Sequence, residues 1–207
     1  MRISKVYKTE AARELVEMNE NFESAFSEVV FSICKTVWPI GERHFTINNS
    51  EKNINGVVPL KERCYIELEE TFSWFREKPL DVLKYEKQKG GPIDVYKQYE
   101  SGEKIGLEFE TGNIGSAHRS MNKLIIGVNR GELDLAIILM PVKSLAYFLT
   151  DRIANYEELE PYFENTEGKP FIFIGFDATY YDSNVPPIPK GKDGMSKRSI
   201  RKWKMLS

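Results

Sequence analysis

The sequence predicts an α/β fold in which a central mixed β-sheet is flanked by helices on both sides. Two continuous apolar runs, LDLAIILM at residues 133–140 and FIFIGF at residues 171–176, are typical of strands that are covered on both faces. The predicted elements follow the order three helices, a two-stranded hairpin, then helix, strand, helix and strand. This order favours helices packed on both sides of a mixed sheet.

Apolar residues at helical spacing predict three helices in the first third of the chain. They cover residues 11–18, 22–33 and 59–78. Pro59 suits the first turn of the third helix, because its missing N–H would have no partner there. The polar, Asn-rich residues 40–58 predict a loop or a short hairpin.

The middle of the chain predicts a hairpin, with strands at residues 92–97 and 104–110 and a turn at Ser101-Gly102. Thr111-Gly112-Asn113 breaks the second strand. The remaining helices are predicted over residues 116–126, 143–153 and 157–163.

Length and charge suggest one domain with a distinct tail. We expect the 207 residues to form a single domain, with residues 186–207 as an irregular, basic C-terminal arm. Residues 190–204 hold seven Lys or Arg against one Asp, so this stretch carries +6 and the rest of the chain −8. A basic tail on an acidic body favours contact with a polyanion, although a solvated, disordered end has the same composition.

Nothing in the sequence predicts a membrane segment or a disulfide. There is no apolar run of about 18 residues and no apolar signal core at the N-terminus. Cys34 and Cys64 have no zinc or redox spacing, and both lie on apolar helix stripes. We therefore expect reduced, buried cysteines and a cytosolic protein.

Three carboxylates on the predicted hairpin indicate a metal site. In the stretch IGLEFE, Glu108 and Glu110 alternate with Ile105, Leu107 and Phe109. Residues two apart on a strand share a face at roughly 6.5–7 Å, so these carboxylates repel unless a cation lies between them. With Asp94 on the other strand, they would suit Mg²⁺ and metal-assisted phosphodiester cleavage. The alternative is a strand with one polar face open to solvent.

Two further carboxylate roles follow from position. Glu110 could accept the proton of an attacking water or hold that water. Glu77, at the end of the predicted third helix and beside Pro79, is a candidate fourth carboxylate, or else a solvated helix end.

Polar side chains near two helix ends could contact nucleic acid. Asn113, Ser116 and Arg119 cluster where a helix starts beside the acidic stretch, and such ends offer N–H donors to phosphates. Asp151-Arg152 could read bases in the major groove. The alternatives are helix capping at the first position and a surface ion pair at the second.

Long motifs in a fixed order connect the chain to a known family. It resembles the BamHI-type type II restriction endonucleases over nearly its whole length. The stretches that carry the resemblance are FTINNSEKNINGVVPLKE (45–62), REKPLDVLKYEKQKGGPIDVYK (76–97), LEFETGNIGSAHRSMNKL (107–124), GELDLAIILMP (131–141), LAYFLTDRI (145–153), ELEPYFENTEG (158–168), PFIFIGF (170–176) and NVPPIPKGKDGMSKRSI (184–200).

The resemblance implies a restriction-endonuclease-like PD-(D/E)xK fold and Mg²⁺-dependent cleavage of double-stranded DNA, with Mn²⁺ able to substitute. It implies a homodimer that reads the palindrome GGATCC, a bacterial cytoplasmic location and a companion DNA methyltransferase for the same site. A two-fold axis relating two active sites agrees with one acidic cluster per chain.

The resemblance also implies residue roles. The catalytic set is Asp94, Glu108, Glu110 and Glu77, and the metal ligands are Asp94, Glu108, Phe109 and Glu77. Glu110 stands where most of the fold class has Lys, and Gly115 where the family pattern has a base-reading serine. The implied DNA-binding residues are Lys61, Asn113, Gly115, Ser116, Arg119, Asp151, Arg152, Gly191, Asp193, Gly194 and Met195.

Two other functions fit the same residues. A sequence-specific DNA-binding regulator with an incidental acidic cluster would cut no DNA. A structure-directed repair nuclease would cut according to DNA shape, with no fixed sequence.

Overall fold

The computed structural model describes residues 1–80, 84–85, 88–89 and 91–190. Its strands are β1 (Arg2–Lys8), β2 (Thr46–Ile47), β3 (Phe75–Lys78), β4 (Lys84–Tyr85), β5 (Gln88–Lys89), β6 (Ile93–Gln98), β7 (Lys104–Phe109), β8 (Leu135–Pro141), β9 (Phe171–Asp177) and β10 (Tyr180–Tyr181). Its helices are α1 (Glu10–Met18), α2 (Glu20–Lys35), α3 (Val58–Phe72), α4 (Ile114–Asn129), α5 (Lys143–Ala146) and α6 (Tyr156–Leu159), followed by a 3-10 helix (Glu160–Thr166).

A six-stranded mixed sheet forms the centre of the fold, in the order β1-β9-β8-β7-β6-β3. Strands β7, β8 and β9 are parallel, and the other neighbours are antiparallel. Every residue of β8 and β9 is buried, which confirms the prediction from the two apolar runs. The predicted hairpin is β6–β7, with Gly102 at a φ of 111° in its turn.

Helices cover both faces of this sheet, as two adjacent residues of β1 make clear. Tyr7 stacks on Phe163 of the 3-10 helix, with ring centroids 5.4 Å apart. The Lys8 ammonium lies 4.0 Å above the ring of Phe26 in α2. Because successive strand residues point to opposite faces, these helices pack on opposite sides of the sheet.

Two strands of the sheet were not predicted. In β1 the register shifts between Ile3 and Lys5, and this bulge interrupts the alternation that marks a strand. The predicted third helix runs too far, because α3 ends at Phe72 with Ser73 in a left-handed conformation. The next residues form β3, an exposed edge strand whose side chains follow no apolar alternation.

The helix predicted over residues 143–153 is also wrong beyond its first turn, since α5 ends at Ala146. Leu149 instead forms a bridge with Asn55. Arg152 has a φ of 63°, which no α-helix residue adopts. This segment is therefore an irregular loop held by tertiary contacts.

Smaller corrections concern the polar loop and the cysteines. Within the predicted loop or hairpin, β2 pairs not with a neighbour in sequence but in parallel with β10. Both cysteines are free; Cys64 is buried as predicted, whereas Cys34 is exposed. Within the described part of the chain, every helix is too short or too polar to cross a lipid bilayer.

Candidate functional site

An open cleft of ≈ 620 Å³ lies beside the start of β6, the end of β7 and the start of α4. Eight residues proposed from the sequence line it: Lys61, Glu77, Asp94, Glu108, Phe109, Glu110, Ser116 and Arg119. The elements that carry them are far apart in sequence, and the order of the sheet brings them together.

The alternation along β7 directs the two glutamates to one side. The Phe109 ring contacts Tyr65 of α3 and Phe176 of β9. Glu108 and Glu110 point to the opposite side, and both contact a serine of α4. Both glutamates are buried, with residue exposures of 3% and 7%.

Asp94 lies at the start of β6 and is held by three donors. Its Oδ2 accepts hydrogen bonds from the Tyr65 hydroxyl at 2.7 Å, the Phe109 N–H at 3.1 Å and the Lys61 ammonium at 3.3 Å. Burial raises the pKa of Tyr65 well above its ordinary value, and the charge of Asp94 adds to this rise. Tyr65 thus stays protonated and continues to donate.

Glu108 lies directly beside Asp94. Its Oε1 accepts the Asp94 N–H at 3.3 Å and contacts the Lys123 ammonium at 2.6 Å. Burial raises the pKa of the Glu108 carboxyl to about 7, and the negative charge of Asp94 contributes to the rise, while Lys123 opposes it. Lys123 is thus the counter-ion of Glu108.

Ser120 joins the two glutamates. Its hydroxyl lies 3.2 Å from Oε2 of Glu108 and 3.0 Å from Oε2 of Glu110. A hydroxyl has one proton and can donate to only one of them at a time. The second contact is favourable when Glu108 is protonated and donates to Ser120, which agrees with the raised pKa of Glu108. The Gly112 N–H donates to the other carboxylate oxygen of Glu110.

Asp94, Glu108 and Glu110 line the same cleft but do not form a cluster of three metal ligands. Among the residues that the structure describes, no three His, Cys, Asp or Glu side chains could hold a metal ion together. Instead, the ammonium groups of Lys61 and Lys123 lie against Asp94 and Glu108, and Glu110 accepts the Gly112 N–H.

The donor set nevertheless fits a hard divalent cation. Mg²⁺ is usually held by one or two carboxylates, with water and phosphate oxygens completing its coordination. Asp94 and Glu108 are such a pair, because the Glu108 carboxylate accepts the Asp94 N–H and both residues line the open cleft. Glu77 lies on the edge strand at the same cleft, exposed and with a φ of 56°.

The start of α4 carries the next group of proposed residues. The Asn113 side chain caps this helix by accepting the Ser116 N–H at 3.0 Å. Asn113, Gly115 and Arg119 are exposed, whereas Ser116 is half-buried. A Cβ on Gly115 would lie 3.2 Å from the Asn113 side-chain oxygen, so a larger residue would crowd the cap.

Asp151 and Arg152 follow Thr150, which lines the cleft, but they are not lining residues themselves. Their side chains form a mostly exposed ion pair at 3.5 Å, with 71% and 85% of the side-chain surface accessible. The four proposed arm residues Gly191, Asp193, Gly194 and Met195 lie outside the described residues.

Sequence reasoning missed Tyr65, Ser120 and Lys123, which contact the carboxylates. Ser116, Ser120 and Lys123 recur at i, i+4 and i+7, the spacing of one helix face. The sequence therefore shows that these three residues share one helix face. That it faces Glu108 and Glu110 depends on the packing of α4 against the sheet.

A pH-dependent stability effect follows from Glu108. Because its folded-state pKa of about 7 exceeds the ordinary 4.5, the folded protein binds more protons than the unfolded chain between these values. Stability contributed by this carboxyl is therefore lost as pH rises from about 4.5 to about 7. We expect Glu108→Gln to abolish this loss, so that the free energy of unfolding of the variant relative to the parent increases by up to about 3 kcal/mol from pH 5 to pH 8.

Urea denaturation in EDTA at both pH values measures this difference. The control is Glu42→Gln, at an exposed position outside the cleft. A Glu108→Gln profile parallel to that of the parent would contradict the expectation.

Known proteins share both the sequence and the fold. The family model "Restriction endonuclease BamHI" matches residues 1–195. The type II restriction enzyme BamHI of Bacillus amyloliquefaciens is 64% identical over 207 residues, covering 99% of this chain and 97% of that protein. The type II restriction enzyme OkrAI of Oceanobacter kriegii is 34% identical over 180 residues, covering 84% and 89%.

The crystal structure of the restriction endonuclease BglII complexed with a DNA 16-mer superposes with a TM-score of 0.63 at 14% identity, over 88% of this chain and 77% of that chain. The fold and the family match define a restriction endonuclease of type II, a site-specific deoxyribonuclease. The chain belongs to the BamHI family.

Proposed function

We propose that this endonuclease is Mg²⁺-dependent and hydrolyses both strands of double-stranded DNA at a palindrome, GGATCC, leaving 5′-phosphate ends. The observation that supports it most is that half-buried Asp94 and buried Glu108 contact the ammonium groups of Lys61 and Lys123 in one open cleft. Such a cleft offers negative charge for a metal and positive charge for a phosphate.

Asp94 and Glu108 would hold the metal, with Phe109 and Glu77 completing the protein ligands. Mn²⁺ would suit the same oxygen donors. When bound, the ion supplies positive charge at the scissile phosphate and lowers the pKa of water. Its charge would also replace Lys123 at Glu108, freeing that ammonium group for a phosphate oxygen.

Glu110 would accept the proton of the attacking water. The Gly112 N–H and the Ser120 hydroxyl fix its carboxylate at the end of β7, so that it needs no rearrangement before accepting a proton. Glu110 is 7% exposed and lines the cleft in which the attacking water would lie.

The remaining proposed residues would bind DNA around the scissile phosphate. Lys61 would contact the backbone, and the exposed side chains at the start of α4 and at 151–152 would read bases. Residues 191 and 193–195 would follow the minor groove. A palindrome cut on both strands requires two such sites, so we propose a homodimer with a two-fold axis. A host cell would need a methyltransferase for the same sequence.

Digestion of one plasmid with Mg²⁺, with Mn²⁺ and with EDTA tests this function, followed by mapping of the cut ends. We expect scission only with the metal, at GGATCC, with 5′-phosphates. No scission under any condition would favour a DNA-binding regulator. Cuts that follow DNA shape without a fixed sequence would favour a repair nuclease.

Arg152→Ala should relax specificity at one base pair. Losing one bidentate contact to a base costs about 1–3 kcal/mol of discrimination, or roughly 5- to 150-fold. The measurement is the ratio of cleavage rates on GGATCC and on sites with one altered base pair. Arg43→Ala, at another exposed arginine outside the cleft, should leave every ratio unchanged. An unaltered ratio for Arg152→Ala would remove Arg152 from the base-reading set.

A further inference from the structure

Asn55 is a fully buried polar residue with every side-chain group in use. Its Nδ2 donates to the carbonyls of Asn48 at 2.7 Å and Phe148 at 3.0 Å. Its Oδ1 accepts the N–H of Ile188 at 3.1 Å. The side chain thus bonds three segments that are separated in sequence by up to 140 positions, counting from 48 to 188.

Backbone contacts extend this arrangement on both sides of Asn55. The Asn55 N–H donates to the Phe148 carbonyl at 2.9 Å, and the Asn53 N–H to the Tyr147 carbonyl at 3.0 Å. On the other side, the Gly56 N–H donates to the Ile188 carbonyl at 2.8 Å. Residues 53–56 therefore lie between the segment 147–149 and the start of the C-terminal arm.

The approach of the arm at Gly56 is close. A Cβ on Gly56 would lie 2.3 Å from the backbone oxygen of Pro189, a distance that side chains do not reach. Ile188 is buried, with 1% of its surface exposed. The start of the arm, residues 186–190, has no regular secondary structure, but Ile188 within it is bonded to Asn55 and Gly56.

Both segments lead to the proposed DNA-binding residues. Thr150 and Val57 line the cleft, and Asp151 and Arg152 come immediately after Thr150. The two side chains are mostly exposed, and apart from a hydrogen bond that Asn53 Nδ2 donates to Asp151 Oδ1 at 3.4 Å, their position depends on the backbone at 147–149. That backbone is bonded to Asn55.

We propose that Asn55 is a positioning residue for sequence discrimination. Its amide holds the start of the C-terminal arm and the loop that carries Asp151 and Arg152 at a fixed separation, so that both meet the DNA as one unit. The proposal rests on the proposed base-reading role of that loop. Only a side-chain amide of this length can donate twice and accept once at this point.

Asn48 provides a matched control. It is also a buried asparagine, with 4% exposure, and its Nδ2 donates to the carbonyls of Ser183 at 3.0 Å and Val185 at 2.6 Å. Its side chain anchors the chain before the arm but makes none of the bonds to residues 147–149. The bond that its carbonyl accepts from Asn55 survives the substitution Asn48→Ala.

Amide hydrogen exchange without DNA tests the coupling directly. Asn55→Ala should raise exchange about tenfold at the N–H of Ile188, which loses its acceptor, and at the backbone N–H groups of positions 53 and 55. Asn48→Ala should leave these three amides at the parent rates. Faster exchange at Ile188 alone would overturn the proposal, because the two segments would then not be coupled.

Cleavage of GGATCC and of sites with one altered base pair tests the consequence. Asn55→Ala should reduce discrimination about tenfold at the same base pair as Arg152→Ala, and Asn48→Ala should retain it. Asn55→Ser, which keeps a hydroxyl, replaces the alanine variant if that variant does not fold. General destabilisation would not select one base pair.

The outcomes separate the two hypotheses. If Arg152→Ala leaves discrimination unchanged, the proposed base-reading role fails, while the exchange data still decide whether the segments are coupled. If Arg152→Ala relaxes discrimination and neither Asn55 variant does, the role of Asn55 is overturned and the proposed function stands.

Discussion

Asp94→Asn is expected to reduce DNA cleavage by at least about 10³-fold while DNA binding persists. Asp94 and Glu108 are the two proposed carboxylate ligands at the centre of the site, and we expect that Glu108 alone cannot hold the metal. A catalytic metal supplies several kcal/mol of charge stabilisation. About 4 kcal/mol corresponds to three orders of magnitude in rate. The neutral amide keeps the size of the side chain and can still accept from the Tyr65 hydroxyl, so the fold should survive.

Single-turnover cleavage in Mg²⁺ and DNA binding in Ca²⁺ measure the two effects separately. Asp182→Asn makes the same chemical change in a turn outside the cleft, where the carboxylate accepts the N–H of Asn184, and should cleave at the parent rate. Cleavage by Asp94→Asn at the parent rate would contradict the proposed metal site.

Glu110→Gln should lower the cleavage rate by roughly 10²- to 10⁴-fold, the usual contribution of a positioned general base. The amide can still contact Ser120 but cannot accept a proton. Because Glu110 is not needed for binding, the affinity for DNA in Ca²⁺ should remain near that of the parent.

Ser120→Ala separates proton acceptance from positioning. It removes the hydroxyl that contacts both Glu110 and Glu108, while the Glu110 carboxylate and its bond to the Gly112 N–H remain. The expected loss is about tenfold, close to the value of one hydrogen bond. Equal losses in Glu110→Gln and Ser120→Ala would mean that Glu110 only orients its neighbours.

Local patterns predicted much of the central sheet. The runs that became β8 and β9 are continuous because these strands are covered on both faces, and a buried strand needs apolar residues throughout. The alternation in IGLEFE correctly separated the face of Phe109 from that of Glu108 and Glu110. Edge strands β1 and β3 escaped prediction because a bulge and an exposed surface leave no such pattern.

Residue type and spacing placed Asp94, Glu108 and Glu110 among the candidates for one site, and the described cleft contains all three. The sequence could not reveal that Lys123 and Lys61 neutralise two of them, because these partners come from helices α4 and α3. It also predicted a helix through Arg152, since the local apolar spacing is helical and the competing bonds to residues 53–55 come from far along the chain.

By itself, the sequence determined which strands are buried, which face of β7 is acidic and, through its long motifs, the resemblance to one family. Those properties depend on residues that are close in the chain, or on motifs that can be read directly. The tertiary structure alone decided which lysines face the carboxylates, where α5 ends and how Asn55 bonds to Phe148 and Ile188. Such contacts form between segments that are far apart in sequence, so no local pattern predicts them. The packing of the whole chain selects them.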